Sequence, residues 1–226
     1  MFIALLLLLI AMLIFPIKFG LLRAATVAVV GVLWIDGLFL FHRHRPIVFV
    51  FLAGAALLIV ISVWPGDTRS SDLRADYVKA LTSYEGKPYL WGAESRLAVD
   101  CSGLVRCALM DANINYSLRH FRPAMLREAL SLWWNDSSAQ AMRDGYRNRT
   151  RFIATAPSLN KFKHSLILPG DIAVTSDGQH VLAYLGNKVW IEADPKPMKV
   201  IRVRVPAPDN GWFRRPVHLL RWRQFE

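Results

Sequence analysis

The sequence predicts an α+β domain carried behind N-terminal transmembrane helices. Three observations lead there: apolar residues crowd into the first 64 positions, helical periodicity prevails from residue 72 onward, and β-rich runs take over after Pro169-Gly170. The chain has 226 residues, 54 % of them hydrophobic and 20 % charged, which excludes a disordered chain. Residues 1–64 hold only Lys18, Arg23, Arg43, Arg45 and Asp36 as charges. Residues 65–226 have 24 Lys and Arg against 16 Asp and Glu, an ordinary soluble composition with a net charge of +8.

Three apolar runs fill the first part: 1–17, 24–41 and 46–64. At about 1.5 Å per residue each lies near the lower limit for a ~30 Å hydrocarbon core, and the first has least margin. No basic segment precedes the first run and further apolar runs follow it, so a retained anchor is expected rather than a cleaved signal peptide. His42-Arg43-His44-Arg45 is the densest basic loop, and the positive-inside rule puts it in the cytoplasm. Residues 65–226 then lie on the extracytoplasmic side of a plasma membrane, although Lys18 and Arg23 in the outer loop argue the other way. Asp36 within a span is costly there and serves either function or an interhelical hydrogen bond.

Pro65-Gly66 ends the last run, and residues 65–71 form a polar linker to a domain over 72–226. Ser71-Asp72 caps a helix to about Leu81, with Leu73, Tyr77, Ala80 and Leu81 on one face. Tyr84–Gly92 is a turn region rich in Gly, Pro and aromatics. A helix runs from Cys101 to about Ala112, and Ala124–Trp134 and Ser138–Arg147 are helical. The rest of 113–165 reads as polar loop. Strands are predicted at Asp171–Thr175, His180–Leu185, Lys188–Ala193, Val200–Val205 and Val217–Trp222.

The two cysteines, Cys101 and Cys107, lie six residues apart on one helix. Their Cα atoms are then about 9 Å apart, too far for a disulfide. Cys107 reads as a small buried apolar residue. Cys101 opens the helix, where unpaired N–H groups and the helix dipole favour a thiolate, and Gly103 beside it allows close approach of a substrate backbone.

The stretch Tyr84-Glu85-Gly86-Lys87-Pro88-Tyr89-Leu90-Trp91-Gly92, followed by Asp100-Cys101-Ser102-Gly103-Leu104-Val105, resembles the NlpC family of papain-like cell-wall cysteine peptidases. Pro169-Gly170-Asp171-Ile172 and His180-Val181-Leu182-Ala183-Tyr184-Leu185-Gly186 resemble that family's next two blocks, in the same order. The resemblance implies a papain-like fold, with Cys101 as nucleophile, His180 as general base and Glu192 as the third polar group that orients the imidazole. It implies a peptidoglycan stem or cross-link peptide as substrate, often cut after γ-D-glutamate, and no metal or organic cofactor. Two features depart from the family: Ala93 replaces a second glycine, and the segment before Pro169 is long and Arg-rich, which leaves the shape of the cleft open.

Sheet parity bears on Glu192. Positions 180 and 192 share a face only if the hairpin loop has an odd number of residues. A three-residue loop, Gly186–Lys188, with an αL residue and a bulge meets that condition, and it is the one predicted. Asp194 has the same parity and is the alternative orienter.

Tyr89 either lines the cleft with its hydroxyl toward the cysteine or packs as a simple aromatic. Asp100 and Ser102 either contact a substrate amino group or cap the helix. Trp91 reads as core and His164 as surface loop. His120 and His218 have no motif around them. The basic domain suits an anionic wall or anionic headgroups, and no nucleic-acid motif accompanies the charge. Three functions remain open: a membrane-anchored peptidoglycan peptidase, an amidase or acyltransferase acting on a lipid or small amide, and a non-catalytic binding module. The oligomeric state has no signature in the sequence.

Overall fold

A computed structural model describes all 226 residues. Three apolar helices come first: α1 (Phe2–Ile14), α2 (Gly20–Leu40) and α3 (Arg45–Val63). The expected span over 1–17 shrinks to 13 residues, roughly 20 Å of helix. Pro16 is the cause, because it forces Phe15 to extended backbone (ψ 123°) and ends the helix. Two helices, α2 and α3, are long and apolar enough to cross a membrane. Arg23, expected in the loop between spans, lies inside the first turn of α2.

The remainder forms helices packed on an antiparallel sheet, in the sequence α4 (Leu73–Ser83), α5 (Cys101–His120), α6 (Pro123–Trp134), α7 (Ala139–Arg143), β1 (Thr150–Ala156), β2 (Ile172–Thr175), β3 (Val181–Gly186), β4 (Val189–Asp194), β5 (Lys199–Arg204) and β6 (Val217–Trp222). The six strands are ordered β1-β6-β2-β3-β4-β5, every pair antiparallel.

Three expectations are corrected. The cysteine helix runs eight residues beyond Ala112, because Ala112, Asn113, Tyr116 and Ser117 are buried and this packing overrides the weak helix propensity of the asparagines. The helix expected over Ser138–Arg147 stops at Arg143, since Gly145, Tyr146, Arg147 and Asn148 all take positive φ. The loop read over part of 113–165 contains β1, an edge strand whose exposed face and bulge near Ile153 break the two-residue alternation.

The hairpin is the feature that positions the site. Asn187 and Lys188 adopt left-handed φ, Gly186 has φ 99°, and the register shifts between Tyr184 and Gly186. Beyond this bulge Ala183 pairs with Ile191 and Tyr184 with Trp190. That register gives positions 180 and 192 the same parity, but by a different route from the three-residue loop predicted over Gly186–Lys188: Gly186 pairs with Val189, so the turn is the two residues Asn187-Lys188, and a bulge at Leu185 supplies the odd residue. Val181, Ala183, Ile191 and Ala193 pack with Leu104, Val105 and Ala108 of α5 in the larger core. Leu182, Tyr184 and Trp190 join Phe213 in a second core.

Candidate functional site

The first turn of α5 is fixed by Asp100. Its Oδ1 accepts from the Gly103 amide (2.6 Å) and the Ser102 hydroxyl (2.9 Å), and its Oδ2 accepts from the Gly92 amide (2.9 Å). Asp100 is therefore an N-cap that also ties the turn before the helix to its start. Both residues line the cleft, but the hydrogen bonds of their side chains go to this cap. Gly103 is required by space, because a Cβ there would lie 2.3 Å from the Ala93 carbonyl oxygen.

The cap leaves the amides of Cys101 and Ser102 without partners inside the chain, as is usual for a first helical turn. The Cys101 Sγ lies 4.0 Å from the Gln179 carbonyl oxygen, at the point where the chain enters β3. His180 follows directly, so the helix start and strand start meet. The imidazole Nε2 is 2.7 Å from Glu192 Oε2, which leaves Nδ1 for the thiol. Glu192 is fully buried, and its other oxygen accepts from Asn210 Nδ2 at 2.6 Å. Trp212 stacks on the imidazole, with ring centroids 4.1 Å apart and planes inclined by 16°.

Burial by itself would lower the pKa of His180. The adjacent Cys101 sulfur and the hydrogen-bonded Glu192 carboxylate outweigh it and raise the pKa to about 9. The upward shift favours the protonated form of an imidazole that sits beside a carboxylate and a sulfur. The Tyr89 hydroxyl is pushed up to about 12 by desolvation and by its acidic neighbours Cys101, Asp100 and Asp194, so it remains a hydrogen-bond donor. Burial pushes the Cys107 thiol well above its ordinary value, and neither cysteine is bridged.

Cys101, His180 and Glu192 come together, and Tyr89, Asp100 and Ser102 border the cleft around Cys101 and His180. Asp194 does not reach the imidazole; it accepts from the Lys196 amide (2.9 Å) and Trp212 Nε1 (3.4 Å). Trp91, expected in the core, is 78 % exposed and borders the cleft, because Gly92 (φ 72°) turns the chain just after it. His164 is half-buried rather than a free surface residue: its Nε2 accepts from Trp190 Nε1 (3.1 Å), and its ring packs on Tyr184. Asn210 and Trp212 are the residues that sequence reasoning missed. They lie in the connection between β5 and β6, where no periodicity or motif marks them.

A cysteine at a helix start set against a histidine on an antiparallel sheet is the arrangement of a papain-like domain. The family model described as NlpC/P60 family matches residues 86–218, more than half of the chain. The chain belongs to the NlpC/P60 family. Among solved structures, NlpC1 from Trichomonas vaginalis is 20 % identical (TM-score 0.44), over 67 % of this chain and 44 % of that one. The peptidoglycan hydrolase RipB from Mycobacterium tuberculosis is 22 % identical (TM-score 0.39), over 69 % and 66 %. The NlpC/p60 domain of the peptidoglycan hydrolase SagA is 19 % identical (TM-score 0.34), over 65 % and 97 %. This chain therefore spans less than half of the Trichomonas protein. No curated protein matches it.

Proposed function

We propose that this chain is a membrane-anchored cysteine peptidase that hydrolyses amide bonds in peptidoglycan stem or cross-link peptides. The observation that carries the reading is the buried Glu192–His180 hydrogen bond (2.7 Å), placed where α5 presents Cys101. Family membership supports the substrate class.

The Cys101 thiolate attacks the carbonyl carbon, and the oxyanion is met by the free amides at the start of α5. His180, already protonated, gives its proton to the leaving amine as the C–N bond breaks, leaving a thioester on Cys101. Neutral His180 then takes a proton from water, whose oxygen attacks the thioester; the acid leaves and the thiolate–imidazolium pair returns. Glu192 holds the imidazole so that Nδ1 faces sulfur, and it stabilises the cation at both stages. Tyr89 donates a hydrogen bond within the same cleft. In this reading α2 and α3 anchor the chain in a plasma membrane, His42–Arg45 is cytoplasmic, and residues 72–226 work outside.

The test is digestion of purified sacculi by the full chain in detergent, with mass analysis of the released muropeptides. Fragments cut within stem or cross-link peptides are expected from wild type and not from Cys101→Ala. Equal release by the two proteins refutes the proposal. A reporter fused after Glu226 that is active only in the cytoplasm refutes the topology.

A further inference from the structure

The connection between α1 and α2 is built into the cleft that holds Cys101. The Glu94 amide donates to the Pro16 carbonyl (2.9 Å), and Ile17 makes an antiparallel bridge with Ala93. Arg23, 1 % exposed, places Nη2 2.6 Å from Glu94 Oε2. The fully buried Arg106 of α5 binds the same carboxylate oxygen, and it also reaches Asp136 Oδ1 at 2.6 Å. Lys18 Nζ turns back to the Met12 and Leu13 carbonyls and closes the end of α1. The connection therefore has a fixed shape, and Ile17, Lys18 and Phe19 line a cleft of about 690 Å³ together with Tyr89, Cys101 and Trp212.

A second attachment lies at the end of α3. Arg127 of α6 donates from Nη1 to the carbonyls of Ile61 (3.1 Å) and Trp64 (3.0 Å). With contacts at two helix ends, the domain has a set face toward the apolar helices and does not swing free on a linker. Phe15–Phe19 is only five residues long, at most about 17 Å when extended. If α2 crosses the membrane, as the proposed topology has it, this segment leads into the start of that span and lies at the level of the lipid headgroups. The cleft it walls is at that level too. The rim carries exposed Trp91 and the half-exposed Phe19; tryptophan favours the membrane interface, and phenylalanine the apolar side of it.

We propose that Ile17–Phe19 and Trp91 form a binding wall for a lipid-linked substrate, and that the amide cut by Cys101 belongs to a stem peptide attached to a membrane-embedded lipid. Such a substrate reaches the cleft by lateral diffusion, with its lipid end passing between Phe19 and Trp91 and its peptide lying across Cys101 and His180. This deepens the peptidase reading and rests on it.

The experiment uses the full chain reconstituted in lipid nanodiscs, with three substrates. These are a γ-D-glutamyl peptide coupled to a diacyl lipid in the same bilayer, the same peptide free in solution, and purified sacculi. Expected is preferential cleavage of the lipid-coupled peptide, with Phe19→Ala or Trp91→Ala each raising its KM about tenfold while kcat holds, the loss of one partly buried aromatic contact. Co-localisation alone gives a preference that neither variant moves, so an unchanged KM in both variants overturns the wall. Equal use of lipid-coupled and free peptide, or cleavage of sacculi alone, also overturns this inference and leaves the peptidase reading standing. Absence of Cys101-dependent cleavage of all three substrates overturns both.

Discussion

At the scale of single residues, His180 is governed by what surrounds it. Acylation in the proposed mechanism uses the imidazolium, so kcat/KM is expected to fall as pH rises through about 9, where that proton leaves. Glu192→Gln keeps a hydrogen bond but removes a charge that raises the pKa. The alkaline limb is then expected at lower pH, with a loss of about 10²-fold or more in kcat. A pH–rate profile of both proteins checks the direction, and an unmoved limb contradicts the role given to Glu192. Asn210→Ala is expected to cause a smaller loss, because it frees one oxygen of a fully buried carboxylate without touching the imidazole. Cys101, His180 and Glu192 are legible in sequence through the family resemblance, while sheet parity allows Glu192 and Asp194 alike. Asn210 and Trp212 are not, since a residue delivered by an irregular connection leaves no periodic trace.

Secondary-structure elements place these residues, and the turn before α5 matters most. Asp100→Ala removes three hydrogen bonds at once and is expected to lower stability by about 1–2 kcal/mol. This appears as a fall of several degrees in the Tm of the detergent-solubilised chain. Gly103→Ala is expected to cost more activity than a helix-favouring substitution normally would. Its new Cβ meets backbone at 2.3 Å, so either Ala93 or the start of α5 that carries Cys101 must shift; a variant with wild-type kcat/KM contradicts that. Elements with regular burial are readable from the chain: β6 is predicted with its observed bounds, and α6 to within one residue. β1 escapes because Phe152 is exposed and a bulge interrupts its alternation. The first apolar helix is misjudged for a different reason, since composition continues through Pro16 while backbone geometry does not.

For the whole molecule, the ionic cluster of Arg23, Glu94, Arg106 and Asp136 decides whether helices and domain behave as one body. Truncating Arg23 leaves the buried Glu94 with Arg106 as its remaining cation, a loss expected to cost about 1–3 kcal/mol. Arg202→Ala breaks a half-exposed pair with Glu85 (2.6 Å) and is expected to cost under about 1 kcal/mol. Thermal unfolding of the two variants in the same detergent therefore ranks them, with Arg23→Ala the less stable. None of this cluster is legible in the sequence, because Arg23 and Glu94 are 71 positions apart and nothing local marks them as partners.

The two sulfurs of α5 have opposite fates. Cys107 is sealed in the core with its proton held by burial, whereas Cys101 opens onto the cleft. An alkylating reagent applied to the folded protein should therefore stop at one equivalent per chain. The consumed equivalent counts the competent molecules in any preparation, so turnover can be expressed per working centre rather than per milligram.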